Sequence, residues 1–328
     1  MRLHVLALRP LAVSFAMILA FWTAGQNPLL AAEPDSREKA VREIERLSKA
    51  EKIEGSYADM AVAASRVIDP EVNDKALRRQ IGEMAKAAAR AWDAEDSPEG
   101  KIAALSRVVF ENYGFSKPQS AAPVVSGKGV RETYLLPGVL NGKRGYCEGL
   151  STVYLLVAKQ ADLPVSIINL PIHTLCRVDL GDQAMYVECV RNGALCSHRS
   201  TETMNGVRAA GKKAGVYLSP LTKKQFLNLH VNALAYGLIQ QRGGPKPLEM
   251  SQMVRLADAI QRLDPNRPES LETAALIHFK AGNVNRAREI IDRTVRLAEK
   301  YGAPSWVLSH YRKMERKYQA DTVRAKPQ

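Results

Sequence analysis

The chain has 328 residues, 46% of them hydrophobic and 25% charged, and 47 Lys and Arg against 34 Asp and Glu give a formal net charge of +13. That length suffices for one large domain or two modest ones. The basic excess is spread along segments of helical spacing, without the interleaved aromatic residues of a nucleic-acid module, so nucleic acid is not an expected partner.

Residues 1–32 read as an export signal. Arg2 and Arg9 supply a positive start, "LAVSFAMILAFW" (11–22) an apolar centre, and Ala31 and Ala32 small residues before the first acids, Glu33 and Asp35. The apolar run is short for a bilayer, so cleavage is expected rather than anchoring, and with it a periplasmic or secreted location. No later run is apolar for long enough to span a membrane.

Residues 36–113 carry helical patterns. Val41, Ile44 and Leu47 recur at helical spacing, and "YADMAVAASRVI" stops at Asp69-Pro70. An Ala-rich stretch (73–92) follows. Ser97 and Pro98 then mark a helix start, with Ile102, Leu105 and Val109 on one face and Gly114 as its stop. Residues 116–132 are rich in Ser, Pro and Gly and are expected to form a surface loop. The stretch "KRGYCEGLSTVYLLVAKQADLPV" (143–165) opens a helix at Cys147, with Leu150, Val153, Tyr154 and Val157 as a buried stripe. "LPVSIINLP", "HTLCRVDL" and "AMYVECV" read as strands, with a turn at Gly181, so an α+β arrangement is expected.

From Val216 the pattern is helical again, in hairpins. Ala275, Phe279, Gly282, Ala287 and Ile291 fit one tetratricopeptide-like unit. Such a hairpin needs a neighbour to cover its second apolar face. The first of these helices is therefore expected to pack on the α+β core, and the later hairpins to leave a groove for a protein or peptide. The final run holds Arg312, Lys313, Arg316, Lys317, Arg324 and Lys326, a basic segment that suits an anionic envelope surface.

Three residues carry the candidate chemistry. Cys147 sits at a helix N-terminus, where free N–H groups and the helix dipole favour thiolate, and Lys143 and Arg144 add to that while Glu148 opposes it. His173 heads a strand that can return to this helix start, so its imidazole could take the thiol proton and later protonate a leaving group. Glu188, across the turn at Gly181, could hold the ring in orientation.

The segments "ALSRVVFENYGF", "TYLLPGVLNGKRGYCEGLSTVYLLVAKQADLPVSIINLPIHTLCRV", "YVECVRNG" and "YLSPLTKKQFLNLHVNALAYGL" resemble the SirB1-like branch of the transglutaminase-like superfamily over roughly residues 100–300. The resemblance implies a papain-like Cys–His–acid core with Cys147 as nucleophile, His173 as base and Glu188 as orienting acid. It also implies flanking and tetratricopeptide-like helices. The expected division of the chain is 1–32 signal peptide, 33–215 transglutaminase-like domain with N-terminal helices, and 216–328 helical tetratricopeptide-like region. Acyl transfer is what the resemblance implies, and the expectation is a peptidase or amidase working through an acyl-enzyme, without a cofactor or metal. Two departures bear on it: the superfamily more often has Asp as its third member, and some members of this branch lack the cysteine. The other reading is an inactive scaffold that binds a protein through its C-terminal helices. Of the remaining cysteines, Cys189 and Cys196 bracket a small loop and are expected to pair, leaving Cys176 buried.

Overall fold

In the computed structural model, which describes residues 34–119, 127–181, 183–241, 243–246 and 248–324, the first helices among the described residues are α1 (Pro34–Lys49), α2 (Tyr57–Arg66), α3 (Asp74–Asp93) and α4 (Pro98–Ser106). The segment read as an export signal lies outside the described residues. Each start has a side-chain cap where the sequence offers one. Ser56 and Asp59 form a capping box, Asn73 accepts from the Ala76 N–H, and Ser97 accepts from the Gly100 N–H with Pro98 in the first turn. After α4 the chain widens into a π-helical turn (Arg107–Asn112) that buries Val108, Val109 and Phe110, and Gly114 follows at φ 73°.

The expected loop over 116–132 holds only in part. Residues Gly127–Thr133 form helix α5, and Leu136–Gly142 form α6 with Pro137 in its first turn. The reason is burial: Val130, Leu135, Leu136, Val139 and Leu140 are all at most 2% exposed. Tertiary packing thus overrides the local Gly and Ser content.

Helix α7 (Cys147–Gln160) is enclosed, with every residue from Glu148 to Ala158 buried. The single apolar stripe read from the sequence is therefore incomplete. Helices α3 and α6 cover the sides that strands β1 and β2 do not, so Ser151 and Thr152 are buried as well. The close fit at the start of α7 depends on Gly149. A Cβ there would lie 2.4 Å from the Thr133 carbonyl oxygen and 2.8 Å from Val139 Cγ2. Gly149→Ala is expected to destabilise the protein by about 1–3 kcal/mol, the usual range for overpacking, and a thermal melt showing no loss would contradict this seating of the helix.

The sheet has four antiparallel strands in chain order: β1 (Val165–Leu170), β2 (His173–Leu180), β3 (Gln183–Glu188) and β4 (Ala194–Cys196). β4 and the short helices α8 (His198–Met204) and α9 (Ala209–Lys213) had no clear pattern in the sequence. Val165, Ile167, Cys176, Val178 and Val187 join the main core with α7. Ile168, Leu170, Leu175 and Tyr186 form a second cluster with Leu218.

The helical remainder is α10 (Lys223–Ile239), α11 (Met250–Leu263), α12 (Pro268–Lys280), α13 (Val284–Tyr301) and α14 (Ser305–Arg324), each of the last four packed on its predecessor. Helix α10 also packs on α2 and α5, and the Leu221 N–H donates to Ile167 O of β1 at 2.9 Å. α11 packs on α1, where the Arg255 guanidinium reaches Glu38 at 2.7 Å and Glu45 at 2.5 Å. One apolar cluster therefore runs from Ala40 to Tyr318. The α+β expectation holds, with helices dominant and the sheet confined to residues 165–196. Among the described residues no helix is long and apolar enough to cross a membrane.

Part of the basic C-terminal run is engaged within the fold. Arg312 pairs with Glu299 at 2.6 Å, and the Lys317 ammonium lies 4.9 Å from the Phe279 ring centroid. Lys326 lies outside the described residues.

Candidate active site

The turn that precedes Cys147 is held from two sides. The Ser116 N–H donates to Lys143 O and the Gly145 N–H to Ser116 O, while the Tyr146 N–H donates to Thr133 O. Lys143 ends α6 at φ 51°, and Tyr146 then serves as an N-cap without a side-chain hydrogen bond. The first helical bond runs from the Leu150 N–H to Tyr146 O, so the Cys147 N–H has no acceptor within the helix. Cys147 itself is half-buried.

His173 reaches this point because β1 and β2 are joined by a two-residue turn, with Leu170 opposite His173. Ile172 in that turn has φ 55° and is 56% exposed. A β-branched residue in the left-handed region is strained, and the strain sits next to the proposed base.

Glu188 comes from β3. The ladder pairs Cys176 with Val187, and extending that register puts His173 two positions from directly opposite Glu188, on the same face. That diagonal is within reach of a long side chain. The His173 Nε2–H donates to Glu188 Oε2 at 2.7 Å. Cys147 is the ring's other close neighbour, and its sulfur acts with the Glu188 carboxylate to favour the charged ring. Cys147, His173 and Glu188 thus converge in one chain of contacts.

Burial works against charge on the His173 ring. The hydrogen bonds to Cys147 and Glu188, with the negative charge of both, outweigh it and lift the pKa from 6.5 to about 10. A raised histidine pKa means that the protonated ring stabilises the folded state. That contribution is complete below 6.5 and disappears as pH rises through about 10. Glu188→Gln is expected to lower the ring's NMR titration midpoint. It should also narrow the stability gap to wild type between pH 6.5 and about 10. A gap independent of pH over that window would show that Glu188 does not act on the ring's charge.

Behind the thiol lies a buried pair that the sequence did not suggest. Glu148 Oε1 is 3.5 Å from His230 Nδ1, and His230 Nε2 is 3.3 Å from Thr152 Oγ1. Burial, and then the charge of Cys147, raise the Glu148 carboxyl well above its ordinary range, against the pull of Arg267. Burial lowers His230 to about 4. His230 is therefore neutral near pH 7, and burial disfavours the charged form of Glu148, which weakens its opposition to an anionic sulfur. Tyr134 is the other unforeseen neighbour. Burial, then the charges of Cys147 and Glu148, push its phenol up, so it remains a protonated donor.

Cys147 and His173 open into a cleft of about 500 Å³. Its far wall comes from the C-terminal helices, through Asn232 and Tyr236 of α10, Thr273 of α12 and His310 of α14. Trp306, 61% exposed, and Ile172 also line it.

The expected Cys189–Cys196 pairing is not what the structure contains, for all four cysteines are free. Cys189 turns inward after β3, 3.8 Å from Cys176 Sγ, whereas Cys196 stands on β4 opposite Tyr186. Burial and the Cys176 neighbour push the Cys189 thiol well up. Among the described residues no group of three or more His, Cys, Asp or Glu is gathered as a metal site.

Residues 75–230 match the family model described as "Transglutaminase-like superfamily". No curated protein matches the chain. Among solved structures it is similar to menin, in a crystal structure described as revealing the binding site for Mixed Lineage Leukemia (MLL) protein. The identity is 11%, the TM-score 0.52, and the match covers 87% of this chain and 66% of that one. The chain thus spans just under two thirds of the menin chain, and at that identity the likeness is one of fold.

Proposed function

We propose that this chain, which carries a transglutaminase-like superfamily core over residues 75–230, is an exported thiol enzyme of the SirB1-like branch, a peptidase or amidase. One observation carries the reading: Cys147, His173 and Glu188 form a hydrogen-bonded chain that opens into a cleft large enough for a peptide segment. Cys147 Sγ attacks the amide carbonyl carbon. His173, its pKa raised to about 10, already holds the proton that the thiol has given up and passes it to the departing amine, while Glu188 holds the ring through Nε2. Water then resolves the thioester. An amine acceptor would make the same site a transferase.

The exposed Trp306 and Ile172 beside the cleft favour a second use, in which the C-terminal helices hold a protein segment whether or not it is cleaved.

The test uses p-nitrophenyl acetate, a generic acyl donor, on wild type and Cys147→Ala. Acetylation mapped to Cys147, with p-nitrophenolate release lost in the variant, supports the enzyme. Equal release from both proteins would refute it and leave the binding reading.

A further inference from the structure

Asn169 is a polar residue inside an otherwise apolar strand, at 1% exposure. It stands directly opposite Thr174 in the β1–β2 ladder, and Thr174 Oγ1 donates to Asn169 Oδ1 at 3.2 Å. That bond fixes the plane of the amide. Nδ2 then carries two N–H donors with no protein acceptor, although the atom is buried. A buried donor left unpaired costs about 1–3 kcal/mol, so its retention calls for an explanation. A purely structural role, tying β1 to β2, would use Oδ1 alone.

Asn169 lines the same cleft as Cys147, His173 and Thr174. It shares a strand face with Ile167, which joins the core of α7, the helix that presents Cys147, and His173 stands one rung on, at the start of β2. We propose that Asn169 Nδ2 is a catalytic donor that binds the oxygen of the substrate carbonyl, alongside the backbone N–H of Cys147. This rests on the thiol-nucleophile reading above and adds to it the group that stabilises the transition state. When the C–S bond forms, the carbonyl π pair moves onto oxygen, and the two N–H donors receive that negative charge. On collapse the pair restores the C=O bond, the C–N bond breaks, and the amine leaves with the proton held by His173. Donors already fixed in place need no reorganisation as the charge develops. Thr174 is a positioning residue, since its hydroxyl sets which way the amide points.

Two reagents separate this role from the nucleophile's. Acylation of Cys147 by p-nitrophenyl acetate passes through an oxyanion and expels p-nitrophenolate. Alkylation by iodoacetamide displaces iodide at a saturated carbon and forms none. Asn169→Ala is expected to slow acylation by on the order of 10²-fold, the usual effect of removing one such donor, with alkylation of Cys147 unchanged. Thr174→Val keeps the amide but frees its orientation, and should give a smaller loss, again in acylation alone. Acylation at the wild-type rate in Asn169→Ala overturns the proposal and leaves the nucleophile in place. So does an equal fall in both reactions in both variants, which marks a structural role. A wild-type protein that alkylates but does not acylate at Cys147 overturns the thiol-enzyme reading, and the Asn169 role with it.

Discussion

Replacing His173 by alanine is expected to slow p-nitrophenolate release by about 10²–10⁴-fold, the range that a positioned general base supplies. The ring stands beside Cys147 and is oriented by the Glu188 carboxylate, so in the proposed mechanism its loss removes both a base and an acid. Glu188 acts through the ring, so Glu188→Gln should cost less than His173→Ala. If the histidine variant retained the wild-type burst while Cys147→Ala lost it, the sulfur would react without its partner and the Cys–His reading would fail.

Residues 33–215 expressed alone are expected not to fold cooperatively. Helix α10 contributes Phe226, Val231, Leu234 and Leu238, each at most 1% exposed, to the same apolar cluster as the N-terminal helices and α7. Burying a side chain of this size stabilises by roughly 1.5–3 kcal/mol, and whole domains are stable by only about 5–15 kcal/mol. Truncation also removes His230 from Thr152 and Glu148 at the start of α7, the Arg255 clasp from α1, and the bond from Leu221 to β1. The expected result is an insoluble fragment or one that melts without a transition in circular dichroism. A fragment with a melting temperature equal to that of residues 33–328 would make the two parts independent.

The two expectations share a cause. α10 shapes one wall of the cleft and, through His230, also touches the helix that presents Cys147. In the proposed enzyme, presenting the thiol and lining the cleft therefore draw on the same packing.

The sequence by itself determined the elements whose signals are local. Ser97-Pro98 sets the start of α4 because a cap and a fixed φ act within one turn. The strands at 165–170, 173–180 and 183–188 follow from short apolar runs between turn residues. Cys147, His173 and Glu188 were also legible as candidates, since a thiol at a helix start and a histidine at a strand start are features of residue type and position. What only the tertiary structure decided is whatever depends on non-local pairing. The α5 and α6 helices form because the core buries Val130, Leu136 and Val139, against a Gly-rich local pattern. The free state of Cys189 follows from which way the chain turns after β3, a matter of register that a spacing of residues does not contain. Asn169 in "IINLP" was the one visible hint, a polar residue in an apolar run, but its unpaired donor exists only once Thr174 has taken Oδ1. Local chemistry is written in neighbours along the chain; burial and hydrogen-bond partners come from residues that are neighbours only in space.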